Sequence, residues 1–249
     1  MPKFFVNTEQ IQEKEIKILG EDVKHISNVL RMKIGEELNI CDRQTNANYL
    51  AQISNIEKSA ITCNIVDCIK SFVESNIKVT IFQGLPKADK MEYIIQKATE
   101  LGVEKIVPVS MTRSIVKLDN KTESKKLERW QKISETAAKQ SGRDYIPTVE
   151  QIIKTSNICE QINEYDLVLL AYENEDKVTL KQELKKIDIK PDNNLKVGVI
   201  IGPEGGIDEK EVKNLISAGA KPVTLGKRIL RTETASITIV SNIMYEYEM

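Results

Sequence analysis

Residues 196–206 read Lys196-Val197-Gly198-Val199-Ile200-Ile201-Gly202-Pro203-Glu204-Gly205-Gly206, and this stretch decides the fold class. The run to Ile201 is almost continuously apolar, which predicts a strand covered on both faces, as in a parallel sheet between helical layers. A glycine-rich turn follows at once. Beyond it, Asp208–Ala218 has helical spacing, with Asp208 and Glu211 at capping-box separation and Gly219 as the stop signal.

Outward from this stretch, strands and helices alternate from Ile77 to the end of the chain. Strands are expected at Ile77–Phe82, Lys105–Val109, Pro147–Val149, Asp166–Ala171 and Pro222–Leu225. Helices are expected at Asp89–Leu101 (Met91, Ile94, Ile95 and Ala98 on one stripe, Gly102 as terminator) and at Thr122–Gln140 (Leu127, Trp130, Ile133 and Ala137). Shorter helices fit Ser156–Ile162 and Thr179–Ile187, and a final one Thr234–Tyr247. Six strands in this alternation predict an α/β domain with a mostly parallel sheet. Upstream the pattern is different: Lys3–Val6, Glu15–Leu19, Glu37–Cys41, Tyr49–Ile56 and Ala60–Val66 read as short strands. One helix interrupts them, with Val23, Ile26, Val29 and Leu30 on a common face. Five strands and a helix predict a small β-barrel. The change of pattern around Ser71–Asn76 divides the chain into domains 1–72 and 73–249.

The 249 residues are 41% hydrophobic and 29% charged, a balance that excludes disorder as the main state. No apolar run reaches the roughly 18 residues of a membrane span, and the first ten residues lack the features of a signal peptide. Cys41, Cys63, Cys68 and Cys159 form no CxxC pair and have no neighbouring histidine, so no metal site is expected. These features together predict a cytoplasmic protein with reduced thiols. The net charge is −1, yet residues 105–143 carry 10 Lys+Arg against 4 Asp+Glu. That basic block permits an RNA partner without establishing one, because a solvated helix face accounts for the same charge.

In open parallel sheets, ligands bind beyond the carboxyl ends of the strands, which directs attention to three loops. Gly202-Pro203-Glu204-Gly205-Gly206 brings bare backbone close to a ligand; a tight structural turn is the less favoured alternative. It is neither GxGxxG nor a Walker loop, so a pyrophosphate cradle is disfavoured. Leu225 to Ala235 places Ile229 and Leu230 in a loop otherwise rich in charge and hydroxyls, as one wall of a slot for a flat ring. An Arg231–Glu233 pair is the plainer reading of those two charges. Leu170-Ala171-Tyr172-Glu173 would supply another wall. The three loops describe a nucleoside-like pocket without naming the nucleoside. His25 has no triad partners and reads as structural or solvated. The remaining chemistry is one in which a cosubstrate carries the difficult step. A dinucleotide-dependent dehydrogenase would share the alternation but needs a glycine fingerprint after an early strand.

Several segments together resemble the 16S ribosomal RNA uracil-N3 methyltransferases, within the knotted (SPOUT) class of S-adenosylmethionine-dependent RNA methyltransferases. They are His25 to Glu36, Lys87 to Glu92 with Lys97 to Gly102, Arg113-Ser114, Ala137 to Arg143, Ile201 to Gly206 and Leu225 to Ala235. Two departures stand out: Thr112 where an acidic residue is common, and Lys3 where arginine is usual. The resemblance implies a PUA-like barrel, then an α/β domain whose C-terminal segment threads a trefoil knot. It further implies a homodimer acting on 16S ribosomal RNA of the small subunit. S-adenosylmethionine would be held by Leu170, Ala171, Gly202, Pro203, Glu204, Gly205, Gly206, Leu225, Gly226, Ile229, Leu230, Arg231, Thr234 and Ala235. Arg31, Arg113, Lys139, Gln140 and Arg143 would contact RNA, although Lys139 near a helix C-terminus equally favours the helix dipole. Uracil N3 must lose its proton to be methylated. Arg231 is therefore expected to stabilise the developing anion, with Glu204 or Glu233 as proton acceptor. A ribose 2′-O-methyltransferase of the same class and a non-catalytic RNA-binding adaptor are the alternatives.

Overall fold

The computed structural model describes residues 2–70, 73–116, 119–187 and 194–248. The domain boundary expected at Ser71–Asn76 lies partly outside these residues. The chain forms two compact units, one of Met1–Glu74 with Ala138–Ile146 and one of Ser75–Ala137 with Pro147–Met249.

In the first unit, β1 (Lys3–Val6), β2 (Glu15–Leu19), β3 (Glu37–Asp42), β4 (Asn48–Ile56) and β5 (Ala60–Ile69) form a curled half-barrel in the order β1-β3-β4-β5-β2. Only β1–β3 is parallel. Period-two patterning drives it: in β2, Ile16 and Ile18 are buried while Glu15, Lys17 and Leu19 face water. They join Phe4, Val6, Leu38 and Ile40 in one apolar core. The helix α1 (Glu21–Lys24) continues into a wide π-type turn, His25–Val29, closed by Leu30 N donating to His25 O at 2.9 Å. Here the sequence expectation needs correction. Val23 and Ile26 are buried, but Val29 and Leu30 are 67% and 39% exposed. A π turn takes more residues than an α turn, so Val29 at its end and Leu30 just beyond it rotate off the apolar face.

Residues 138–146 complete this unit. Ala138 packs with Phe5 and Cys41. The buried Lys3 ammonium pairs with the Asp144 carboxylate and donates to Gly142 O at 3.2 Å. Glu74 accepts from Arg143 Nη2 (2.6 Å) and from the backbone amides of Asp144 (2.9 Å) and Tyr145 (3.2 Å).

The second unit is a seven-stranded parallel sheet. Its strands are β6 (Ile77–Gly84), β7 (Lys105–Ser110), β8 (Thr148–Val149), β9 (Ile153–Lys154), β10 (Leu167–Ala171), β11 (Leu195–Ile201) and β12 (Lys221–Val223). The order is β12-β10-β11-β6-β7-β8, and β9 also pairs with β7; it is a two-residue strand that periodicity does not reveal. The helices are α2 (Lys90–Glu100), α3 (Asn120–Ser141, of which the residues from Ala138 belong to the first unit), α4 (Thr155–Gln161), α5 (Leu180–Leu184), α6 (Glu209–Ala218) and α7 (Thr232–Tyr247). Strand β11 is covered on both faces, with Val197, Val199 and Ile201 in one core and Ile200 in the other. At α6, Asp208 caps by accepting from Lys210 N at 3.0 Å. Glu211 does not complete a capping box; it accepts from Thr112 N (3.1 Å) and Thr155 Oγ1 (2.5 Å) instead.

Candidate active site

Three adjacent strands, β12, β10 and β11, end together, and the loops beyond their carboxyl ends line a cavity of about 470 Å³. From β10 come Ala171, Tyr172 and Glu173, and from β11 Ile201, Gly202, Pro203, Glu204 and Gly206. The segment from Thr224 to Thr232, with Ala235, forms the third side, and Lys90 of α2 adds a cation. Of the expected cofactor residues, Ala171, Gly202, Pro203, Glu204, Gly206, Leu225, Gly226, Ile229, Leu230, Arg231 and Ala235 meet here. Leu170, Gly205 and Thr234 do not line the cavity. Strand alternation is the reason for Leu170, whose side chain is fully buried in the core on the other sheet face.

The 203–206 turn is closed by Gly206 N donating to Pro203 O at 2.9 Å. Gly206 sits at φ +69, a conformation strained for any residue with a Cβ, and its open side faces the Glu173 carboxylate. A side chain at Gly84 would likewise meet Pro203 N and Cδ at 2.7 Å. Below the turn lies a buried polar network that the sequence patterns did not announce. Gln83 Nε2 donates to Thr232 Oγ1 (2.9 Å), Thr232 Oγ1 donates to Gly202 O (2.7 Å), and Ser236 Oγ donates to Gln83 Oε1 (2.5 Å). It ties the end of β6 to the β11 loop and the start of α7.

The charges divide unevenly. Arg231 is exposed at the N-cap of α7 and lines the cavity, while Ile229, 89% exposed, stands on its rim. The expected Arg231–Glu233 pair is not formed; Glu233 Oε2 instead lies 3.4 Å from Lys90 Nζ, an ion pair without a hydrogen bond. Glu204 also faces Lys90, at 2.9 Å, and accepts from Lys87 N at 3.1 Å. Partial burial pushes the Glu204 carboxyl up, but the bonds from Lys90 and the nearby amides outweigh it and leave its pKa below the usual value. A carboxylate held in this way is a poor proton acceptor.

The expected RNA contacts also separate. Arg31 and Gln140 are exposed, as is Arg113, which donates to Gly205 O at 3.3 Å on the outer side of the turn. Lys139 instead pairs with Asp22 at 2.9 Å, and Arg143, only 5% exposed, is bound to Glu74. Both cations of the basic block are thus engaged in ion pairs within the N-terminal unit. His25 is exposed, with its ring 6.2 Å from that of Phe4. Among the described residues no cluster has the makings of a metal site.

Comparison with known proteins agrees with this geometry. The family described as an RNA methyltransferase domain matches residues 73–244, and an RNA methyltransferase PUA domain matches residues 18–66. The ribosomal RNA small subunit methyltransferase E of Bacillus subtilis is 36% identical over 100% of this chain and 98% of its own length. A putative methyltransferase from Legionella pneumophila, solved with bound cofactor SAM, superposes with a TM-score of 0.85 at 30% identity, covering 98% of this chain and 96% of its own. A ribosomal RNA small subunit methyltransferase E from Neisseria gonorrhoeae, solved with S-adenosyl methionine, gives 0.83 at 32% identity, covering 98% and 97%.

Proposed function

The chain belongs to the ribosomal RNA small subunit methyltransferase E family of RNA methyltransferases, and from that premise we propose that it methylates N3 of a uridine in 16S ribosomal RNA. The carrying observation is the cavity at the ends of β12, β10 and β11. Its size falls within the several hundred Å³ typical of small-molecule sites, and its lining suits a nucleoside: Ile201, Leu225, Ile229, Leu230 and Ala235 for the flat ring, bare backbone at Gly202, Gly206 and Gly226 for the polar edge. Relatives of known structure hold S-adenosylmethionine, which supplies, when bound, an electrophilic methyl group on a sulfonium.

The residues of this chain supply position and charge. The turn at 203–206, braced through Gly202 by Thr232, keeps one wall of the cavity fixed. Arg231 presents a permanent cation at the cavity mouth, where it would favour the N3-deprotonated uracil by stabilising negative charge as it develops. Glu204 and Glu233 both face Lys90, which leaves Arg231 as the residue best placed to act on the base. Exposed Arg31 and Arg113 are the proposed phosphate contacts. In the same reading the C-terminal segment is threaded as a trefoil knot. That is supported by a strand order in which β10 separates β11 from β12, and by the clasp between Thr232 and Gly202. Two copies would build each RNA site, and the protein would work in the cytoplasm.

The function is tested by mapping methylated nucleosides of small-subunit RNA by mass spectrometry in a strain lacking this protein. Loss of one 3-methyluridine, restored by the wild-type chain, is expected; loss of a ribose methyl instead, or of nothing, overturns the reading. Arg231→Ala is expected to lower kcat by about 10²-fold or more while S-adenosylmethionine affinity changes little. Full turnover with only weaker cofactor binding would remove Arg231 from the chemistry.

A further inference from the structure

Lys90 is the first residue of α2, where the helix dipole disfavours a positive charge. Its ammonium nevertheless lies 2.9 Å from Glu204 Oε1 and 3.4 Å from Glu233 Oε2. These two carboxylates belong to different elements: Glu204 lines the cavity from the turn after β11, and Glu233 sits on the first turn of α7, next to Thr232, which lines it. Just upstream, Ala88 adopts φ 54, a left-handed conformation that is strained for a residue with a Cβ. Next to this strained residue, Lys87 N is directed at Glu204 Oε1 (3.1 Å) and Oε2 (3.3 Å). One short segment, Lys87 to Lys90, therefore grips Glu204 twice and Glu233 once.

We infer that Lys90 is a positioning residue for the methyl donor: it holds the 202–206 turn and the start of α7 at the separation the donor requires, through Glu204 and Glu233. Without the ammonium, two carboxylates would face each other across the wall and push the loops apart. Lys227, Arg228 and Arg231 also line the cavity, but the ion pairs that Glu204 and Glu233 form among the described residues are both with Lys90. The inference rests on the reading of the cavity as a donor site. It adds that the geometry of the site is set by a lysine on a different element from the binding loops.

The test compares full-length wild type, Lys90→Met and Lys90→Arg. Lys90 is partly exposed on its helix, so Lys90→Met is expected to stay folded, with a lowered thermal midpoint because the buried Glu233 Oε2 loses its ion pair. Its dissociation constant and KM for S-adenosylmethionine should rise about tenfold, the scale of a lost charge-assisted hydrogen bond, while kcat at saturating donor stays within about threefold. Lys90→Arg should restore most of the affinity. Without any ligand, hydrogen exchange in the peptide spanning residues 202–207 should be faster in Lys90→Met than in wild type. Unchanged exchange and affinity in Lys90→Met overturn the inference, as does a loss confined to kcat or a failure of arginine to rescue. A wild-type chain that binds no S-adenosylmethionine overturns the cavity reading instead, and the exchange comparison still decides whether Lys90 sets the loops.

Discussion

Cys41 and Cys63 are fully buried, and burial pushes both thiols up to about 12; at Cys41 the nearby Asp144 carboxylate adds to the effect. Cys68 is exposed and Cys159 partly so, with burial raising the Cys159 thiol above its ordinary value. Alkylation at neutral pH followed by peptide mapping is expected to label Cys68 first and Cys159 more slowly. Cys41 and Cys63 should react only on unfolding, and rapid labelling of either in the folded protein would contradict their packing. The same burial gives a pH dependence. The unfolded chain loses a thiol proton near pH 9 while the folded chain keeps it to about 12, so stability falls as pH rises through that window. The slope per buried thiol is about 1.4 kcal/mol per pH unit above pH 9. Cys63→Val is expected to flatten the fall of the urea midpoint between pH 9 and 10.5, and an identical slope in that variant would be the contrary result.

Among the elements, β6 carries the least obvious feature. Gln83 is fully buried near the end of an apolar strand and spends its amide on Thr232, Ser236 and Gly84 O. Replacing Thr232 by Val keeps the shape but leaves one Gln83 Nε2–H and Gly202 O without their hydroxyl partner, at a cost of about 2 kcal/mol. Chemical denaturation should register that loss, S-adenosylmethionine affinity should fall with it, and Thr232→Ser should recover both. A Thr232→Val protein as stable as wild type would mean the network closes another way. This network also marks the limit of what sequence reveals. Strands and long helices are legible because their apolar periods are set by geometry; β11 and α2 lie within two residues of the bounds their patterns suggest. The cavity loops are legible as well, since glycines and stray apolar residues in a polar loop have few other uses. Partner choice is a tertiary matter. Glu211 sits where a capping box would use it, but Thr112 and Thr155 take it; Val29 and Leu30 sit on an apolar face until a π turn rotates them away. Lys90 stands in a quoted motif, and only its distances to two carboxylates reveal its use.

At the scale of the molecule, a net charge of −1 conceals a basic block in which some of the ten cations are already paired within the fold. Arg129 pairs with Glu92, Lys139 with Asp22 and Arg143 with Glu74. The last two pairs lie inside the N-terminal unit, which takes residues 138–146 from a distant part of the chain. A fragment of residues 1–74 would keep every strand of the half-barrel but lose Ala138 from above Phe5 and Cys41. It would also leave the buried Lys3 ammonium without Asp144, and Glu74 without its three donors. Uncovering one apolar group is a modest loss, whereas an unpaired charge in a buried setting costs several kcal/mol, a large share of what a domain of this size has to spare. The 1–74 fragment is therefore expected to lack a cooperative unfolding transition by circular dichroism. The same fragment joined through a flexible linker to residues 138–146 should regain one, and Lys3→Met should partly stabilise the shorter fragment by removing the stranded charge. Cooperative folding of residues 1–74 alone would show that the half-barrel core suffices and that the returning segment only decorates it.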